Sequence, residues 1–491
     1  MGEDMTGAIE HAESIFIGGA WTPPSSKARI DVINPYTEAL FVSVAEARNS
    51  DIDRAVAAAR DAFDCGPWRR LSHAERAGYL RVIGAKLALR ADQLAHAWTS
   101  EVGVVSGVSA AMMQALGAVF EYYASLADSF PFIERHAPQA GGKLGLLVRE
   151  PVGVVAAIMP WNFPASLAAY KVAPALLAGC TVVLKMSPEA PSAGYILAEV
   201  AREVGLPAGV LNVVAADREA SERLVRHAGA DKVSFTGSSA VGKRIAGICS
   251  ERLARVTLEL GGKSAAVVLE DFDIDRAAEA IAGAAPVAIG QVCAALTRVI
   301  VPRIRHDDFV DALSARFAAI AVGDPFDPAT GMGPLATAMQ RDRVEGYIAS
   351  GVEQGARLAT GGKRPKHLEK GYFVEPTVFG SVANDMRIAR EEIFGPVLCV
   401  IAAEDEAAAI AIANDSPFGL NAGVFTNDAE RALRAAREIR SGTVGHNGFR
   451  ADFSIAFGGF KESGIGREGG AEGLLPYLET KTVILDAELP A

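Results

Sequence analysis

The sequence predicts an α/β protein: a parallel sheet with helices on both faces, a second α/β unit and a small β element. Three observations carry that prediction. From Val152 onward, short β-rich runs alternate with helical ones, and strands separated by helices pair in parallel. The chain of 491 residues has room for about three domains of ~150 residues. A chain of this size hides roughly three quarters of its extended surface, so it needs no disulfide or metal to hold a core. The composition is 50% hydrophobic and 22% charged with 49 glycines, which excludes a disordered chain, a coiled coil and a collagen.

The first third is helical. Ser50 is placed to cap a helix over 51–64, and Ser72 with Glu75 forms a capping box ahead of a periodic run to Trp98. A third helix covers 109–126, and residues 129–149, punctuated by Gly and Pro, read as extended chain. Five strands follow, starting near Val152, Thr181, Val210, Lys232 and Val256, with helices up to Leu177, from Ser192, and over 219–227 and 241–249 between them. Such sheets bind ligands at the carboxyl ends of their strands. A second alternating series runs over 265–442, and the tail 477–485 is one more strand.

The net charge is −11 and no long basic run occurs, so no nucleic-acid partner is expected. Residues 1–14 are acidic and lack the apolar core of a secretory signal, and Met1-Gly2 with Thr6 only brushes a myristoylation pattern. The uncharged run Ala280 to Leu296 is rich in Ala, Gly and Pro. It reads as a buried helix followed by a loop, so no membrane span is expected. Cys65, Cys180, Cys249, Cys293 and Cys399 are widely spaced with no CxxC, the pattern of free thiols in a reducing compartment. A cytoplasmic protein without a metal site is expected.

Two features carry chemistry. Phe235-Thr-Gly-Ser-Ser-Ala-Val-Gly-Lys-Arg244 follows a strand and opens a helix. Gly237, Gly242 and Lys243 mimic a phosphate-binding loop, but Arg244 stands where a magnesium-ligating Ser or Thr belongs, which disfavours a P-loop nucleotidase. The free N–H groups of a helix N-terminus still suit a pyrophosphate; a plain strand-to-helix turn is the alternative. Gly290-Gln-Val-Cys293 lies at the end of the uncharged run. A Cys in apolar surroundings is most often inert, and a nucleophilic one needs a base nearby or a depressed pKa. Glu259, at the end of a buried strand, is the candidate base, because a carboxylate there is costly unless it is paired or used.

Taken in register, Pro160-Trp-Asn-Phe-Pro164, Phe235-Thr-Gly-Ser238, Leu258-Glu-Leu-Gly-Gly-Lys263, Gly290-Gln-Val-Cys293, Glu391-Glu-Ile-Phe-Gly-Pro396 and Phe457-Gly-Gly-Phe-Lys-Glu-Ser-Gly-Ile-Gly-Arg-Glu468 resemble the aldehyde dehydrogenase superfamily. Ile17-Gly-Gly-Ala-Trp21 and Asn34-Pro35 fit as well, so the likeness spans nearly the whole chain. The resemblance implies a Rossmann-type parallel-sheet cofactor domain over 1–127 and 150–261, an α/β catalytic domain over 262–470, and a small β oligomerisation element over 128–149 and 471–491. It implies oxidation of an aldehyde to its acid with NAD, through a thiohemiacetal and a thioester on Cys293. Asn162 and the Cys293 N–H would hold the oxyanion, Glu259 would activate water and Glu468 would assist proton relay. Cofactor contacts fall on Ile158, Pro160, Trp161, Lys185, Ser187, Phe235, Gly237, Ser238, Gln340, Arg343, Glu392 and Phe394.

Departures bear on specificity. Pro188 stands where the family often has an acidic residue for the 2′-hydroxyl of NAD, which leaves NADP open. Ala215-Ala216-Asp217-Arg218 replaces the usual glycines, and Ala288 stands where Asn is common. Phe163, Tyr170, Val292, Ala294, Phe449 and Phe457 resemble the substrate tunnel. They favour an uncharged aliphatic or aromatic aldehyde over a semialdehyde, with Arg450 the one candidate clamp for a distal carboxylate. The alternatives are a CoA-acylating enzyme, which would not need Glu259, and a non-catalytic protein, which would not need Cys293. A homodimer or homotetramer is expected, because exposed strands such as 129–149 and the tail seek edge partners.

Overall fold

The structure, a computed structural model, describes residues 9–489, so the Met1-Gly2-Thr6 pattern lies outside the described residues. Five parallel strands, Val154–Ile158, Thr181–Met186, Leu211–Ala215, Lys232–Thr236 and Arg255–Glu259, form the centre of the first sheet. Their spatial order is third, second, first, fourth, fifth. The first four of these strands are buried throughout, because helices cover both faces, and this makes them near-continuous apolar runs without alternation. Ile15–Ile17 and Ala20–Thr22 close one edge and Gly464–Ile465 the other, all antiparallel. The strand order reverses between Val154–Ile158 and Lys232–Thr236, and a crevice opens there at the strands' carboxyl ends.

The chain leaves this sheet after Glu259 and enters a second at Ser264–Val268. The second sheet runs Arg357–Thr360, Thr377–Gly380, Val397–Ala403, Leu296–Pro302, Ser264–Val268, Asn421–Phe425, Thr443–His446 in space, parallel except for the first strand. A third sheet joins Ile133–His136, Leu144–Pro151 and Leu478–Leu485, so the predicted extended segment and tail strand pair with each other.

The N-terminal helices depart from the sequence reading. The first spans Asn49–Asp64 and its N-cap is Arg48, not Ser50; the Asp51 carboxylate accepts from the Arg48 backbone N–H instead. The Ser72–Glu75 capping box forms as expected. The run behind it is two helices, His73–Ala88 and Ala91–Val102, and the helix expected over 109–126 is also two, Ser106–Gln114 and Gly117–Ser129. Neither break carries a proline. The second sits where Gly117 meets Gly84: a Cβ on either glycine would lie 2.8 Å or less from the other's carbonyl oxygen. The two helices approach backbone to backbone there, and that packing sets the break. No helix among the described residues is long and apolar enough to cross a membrane.

Candidate active site

At the crevice the strand Val154–Ile158 runs into Met159-Pro160-Trp161-Asn162, and Lys232–Thr236 runs into Gly237-Ser238. Ser238 caps the helix Ser239–Ser250, its Oγ accepting from the Val241 N–H. The open N–H groups and positive dipole end of that helix face the crevice. A Cβ at Gly237 would lie 2.4 Å from the tip of the Phe235 ring, so a side chain here would push that ring aside. Lys243 and Arg244, which mimic a phosphate loop in sequence, pair instead with Glu462 and Glu222 at 2.8 and 2.7 Å.

Two adjoining clefts share Pro160, Trp161, Thr236 and Gly237. The larger, about 520 Å³, takes Ile158, Lys185, Ser187 and Phe235 into its wall. The smaller, about 190 Å³, takes Asn162, Ser238, Cys293, Gln340, Arg343, Glu392 and Phe394. All twelve residues expected at a cofactor therefore line one continuous surface. Lys185 is buried, and desolvation holds its ammonium down to about 8 against the pull of Glu189 and Asp217. The position left by Pro188 is not without a carboxylate: Glu189, one residue on, lines the same cleft and accepts from Ser187 Oγ. Gln340 and Arg343 act on the loop 392–394, with Gln340 Nε2 donating to Phe394 O at 2.6 Å and Arg343 Nη2 to Glu392 O at 2.6 Å. Glu392 accepts from the Gly262 N–H at 3.1 Å, and burial pushes its carboxyl up to about 7.

Cys293 follows a strained loop. Ala288, Ile289 and Gly290 have φ of 45°, 58° and 70°, three consecutive left-handed residues, two of them with side chains. Gly262 must be glycine, because a Cβ would lie 2.3 Å from the Cys293 carbonyl oxygen. Burial pushes the Cys293 thiol far up, and the nearby Glu392 and Glu259 carboxylates add to the effect. Asn162 is aimed at this loop: its Nδ2 donates to Gln291 O at 2.8 Å, and its own carbonyl accepts from Trp98 Nε1 at 2.8 Å. One amide N–H is used to orient the side chain and the second is left for another acceptor.

Glu259 is buried with neither carboxylate oxygen hydrogen-bonded. Burial raises its pKa well above the ordinary carboxylate range, the neighbouring Glu468 raises it further, and Lys171 and Arg467 oppose. Gly458 makes room for it, since a Cβ there would lie 2.6 Å from Glu259 Oε1. Glu468 is ion-paired to Lys171, both fully buried. Thr236 Oγ1, Tyr123 Oη and Glu468 Oε2 are further buried groups without a partner.

The expected substrate residues form an apolar wall. Phe163 packs on Trp98, while Val292, Ala294, Phe449 and Phe457 cluster with Cys293 and Leu420. Tyr170, Phe453 and Phe457 make a three-ring stack with centroids 4.3 and 4.4 Å apart. The Arg450 side chain is exposed. Sequence reasoning missed Phe453, Lys171 and Glu189. Only Lys171 left a signal: it is the one charge in the helix Pro164–Ala178, which is otherwise apolar, and a buried lysine implies a partner.

Comparison with known proteins agrees with this geometry. Residues 21–483 match the model of the aldehyde dehydrogenase family. A geranial dehydrogenase of Castellaniella defragrans is 46% identical over 97% of this chain and 99% of its own. A chloroplastic betaine aldehyde dehydrogenase of Amaranthus hypochondriacus is 40% identical over 97% of this chain and 96% of its own. A crystal structure of a Mycobacterium tuberculosis aldehyde dehydrogenase complexed with NAD+ superposes with a TM-score of 0.94 at 45% identity, covering 96% of this chain and 98% of that one. The chain belongs to the aldehyde dehydrogenase family.

Proposed function

We propose that the protein oxidises an uncharged aliphatic or aromatic aldehyde to its carboxylic acid with NAD+. The observation that supports this best is that a thiol and an oriented amide with a spare N–H line one cleft, while a buried carboxylate without a hydrogen-bond partner lies near enough to the thiol to raise its pKa.

The clefts fit a dinucleotide: a helix N-terminus for the pyrophosphate, a buried ammonium at Lys185, and a glycine at 237 that leaves the crevice floor open beside the Phe235 ring. Bound NAD+ supplies the hydride acceptor. Lys185 and Ser187 would hold the adenosine ribose. Glu392 and Phe394 would hold the nicotinamide ribose, on a loop braced by Gln340 and Arg343. Ile158, Pro160, Trp161, Phe235, Gly237 and Ser238 form the walls. The Glu189 carboxylate opposes a 2′-phosphate and favours NAD over NADP.

The Cys293 thiol passes its proton to water in the cleft, which carries it to solvent; Sγ then attacks the carbonyl carbon, and the electron pair of the broken π bond moves to oxygen. The spare Asn162 N–H and the Cys293 backbone N–H receive that charge. After hydride loss the acyl group remains on Cys293 as a thioester. Glu259 takes a proton from the attacking water, the C–S bond breaks and the thiolate returns. Glu468, held by Lys171 and near enough to Glu259 to raise its pKa, would take the proton onward.

A second substrate reading has its own support. It comes from the relatives: a betaine aldehyde dehydrogenase is 40% identical over 97% of this chain, and an aromatic ring with an open face attracts a quaternary ammonium. We further divide the chain into a cofactor domain (1–127 and 150–261), a catalytic domain (262–470) and an oligomerisation element (128–149 and 471–491), the last supported by the three-stranded sheet with exposed Ile133 and Ile484. We further propose a homodimer or homotetramer, supported by that sheet, and a reducing compartment such as the cytoplasm, supported by five unbridged cysteines. The deciding test is reduced-cofactor absorbance with NAD+ and NADP+ over octanal, benzaldehyde, succinic semialdehyde and betaine aldehyde, for wild type and Cys293→Ala. Turnover of the neutral aldehydes is expected, and it should vanish in the variant. Oxidation that survives loss of this thiol would sink the mechanism.

A further inference from the structure

Away from the crevice, a small polar cavity of about 10 Å³ lies where the chain crosses from the first sheet to the second. It is close to the ~10–15 Å³ that one water needs, so it has room for one small monatomic species and for no polyatomic ion. Lys263 ends the crossing and Ser264 opens the strand Ser264–Val268; both line the cavity, together with Arg298 of the neighbouring strand Leu296–Pro302. Asn421 and Ser441 complete the polar side, and no carboxylate belongs to the lining. Of its walls only Phe418 and Ser441 are partly exposed.

The strand register explains why the space exists. Ser264 pairs with Leu296 but Ala265 pairs with Arg298, so Thr297 is one residue too many and the ladder opens there. Two cations face the opening. Lys263 is buried, its Nζ has no hydrogen-bond partner, and neither has the Ser264 hydroxyl beside it. Burial holds the Lys263 ammonium below its ordinary value, and the charge of Arg298 adds to this. Arg298 Nε donates to Lys263 O at 3.0 Å, and its Nη atoms donate to Asn384 Oδ1, Ile412 O and Ala413 O at 2.9, 3.0 and 2.9 Å. These bonds all end on uncharged oxygens, and one guanidinium N–H, on Nη2, is left over. Asp415, Glu391 and Glu392 act on the two cations from outside the cavity, and each is bonded elsewhere, to Arg390, Arg387 and the Gly262 N–H.

A buried charge is costly unless it is paired. A water molecule would accept from the Lys263 ammonium, but it would leave the charge standing and bring two hydrogens of its own to a wall rich in donors. One anion accepts from the Lys263 ammonium, the Ser264 hydroxyl and the spare Arg298 N–H together, and neutralises charge as it does so. We propose that this cavity binds a single monatomic anion, chloride under ordinary conditions. Lys263 follows Gly262, which lies against the Cys293 carbonyl, whereas Arg298 belongs to the second sheet. The anion therefore ties the crossing after Glu259 to the second sheet. The inference stands apart from the aldehyde-oxidising reading.

The test uses the full chain. Wild-type crystals grown in sodium bromide are measured at the bromine absorption edge, where bound halide shows by anomalous scattering. A peak beside Lys263 Nζ is expected; a site that holds water and no halide would overturn the proposal. In solution, the melting temperature is followed in sodium chloride and in sodium gluconate at equal ionic strength, for wild type, Lys263→Met and Lys243→Met. Lys243 pairs with Glu462 at the surface and serves as the control. Chloride raises the melting temperature of wild type and of Lys243→Met by about 2–5 °C over gluconate, and leaves Lys263→Met unmoved. Equal melting of the wild type in the two salts, or an equal rise in Lys263→Met, would overturn the site. The bromide measurement needs no variant, so it decides the matter even where Lys263→Met does not fold.

Discussion

The two walls of the crevice are built differently. One is made of strand ends: Ile158 to Asn162, Lys185 to Ser187, Thr236 to Ser238 and Glu259 each follow a buried parallel strand, and sheet hydrogen bonds fix their positions. The other is made of loops: the left-handed turn before Cys293, the segment 391–396, and the stretch 449–468, held by glycines and isolated side-chain bonds. The first wall is held by sheet hydrogen bonds and is the fixed one. The second carries left-handed backbone and is the strained one. With the proposed nucleophile on the strained wall and the proposed base on the fixed one, loop changes can reshape the surroundings of Cys293 without moving Glu259.

The largest break in that arrangement comes from Glu259→Gln. Steady turnover falls by about 10²–10⁴-fold, while a first equivalent of reduced cofactor still forms in a burst. Stopped-flow absorbance separates the two phases, and undiminished steady turnover would remove Glu259 from the base role. In the wild type, deacylation is slow where Glu259 is protonated and speeds up as pH rises through its raised pKa, because only the carboxylate accepts a proton from water. A deacylation rate already at its plateau near pH 5 would contradict that burial effect.

Lys171→Met tests what joins the walls, since Lys171 sits on the helix after Asn162 and Glu468 on the far loop. Removing one member of a buried pair costs about 3–5 kcal/mol, read as a lower denaturation midpoint. A loss under about 1 kcal/mol would place the pair in water-like surroundings.

How far the sequence reached follows the same division. The strand-end wall was legible because apolar runs and Gly- or Pro-marked exits are local signals, and the motifs sit at those exits. The helix breaks after Ala88 and Gln114 were not, because the apolar pattern continues through them and only the meeting of Gly84 with Gly117 shows the second. Ser50 was preferred as a cap for its hydroxyl, whereas the Asp51 carboxylate bonds the backbone one turn earlier. Phe453 and Glu189 gave no signal, since stacking on Tyr170 and bonding to Ser187 depend on tertiary packing and on a one-residue shift past Pro188.

Two smaller effects sharpen the contrast. Glu189→Gln, on the fixed wall, raises the NADP-to-NAD ratio of kcat/KM about tenfold by removing a charge that repels a 2′-phosphate. An unchanged ratio would mean that Glu189 does not face the ribose. Ala288→Gly, on the strained wall, stabilises the fold by about 0.5–1 kcal/mol, because glycine adopts the left-handed conformation freely. A lower melting temperature in that variant would show that the methyl group contributes more by packing than the backbone loses in strain.

The antiparallel edge strand Gly464–Ile465 lies against Leu258 and Glu259, and the Lys171–Glu468 pair spans 297 residues of chain. During synthesis the thiol leaves the ribosome long before these partners do. A nascent or truncated chain ending before residue 468 carries Cys293 without the finished surroundings of Glu259. On the proposed mechanism, hydrolysis therefore waits until nearly the whole polypeptide has been made and its last loop has returned to the first sheet.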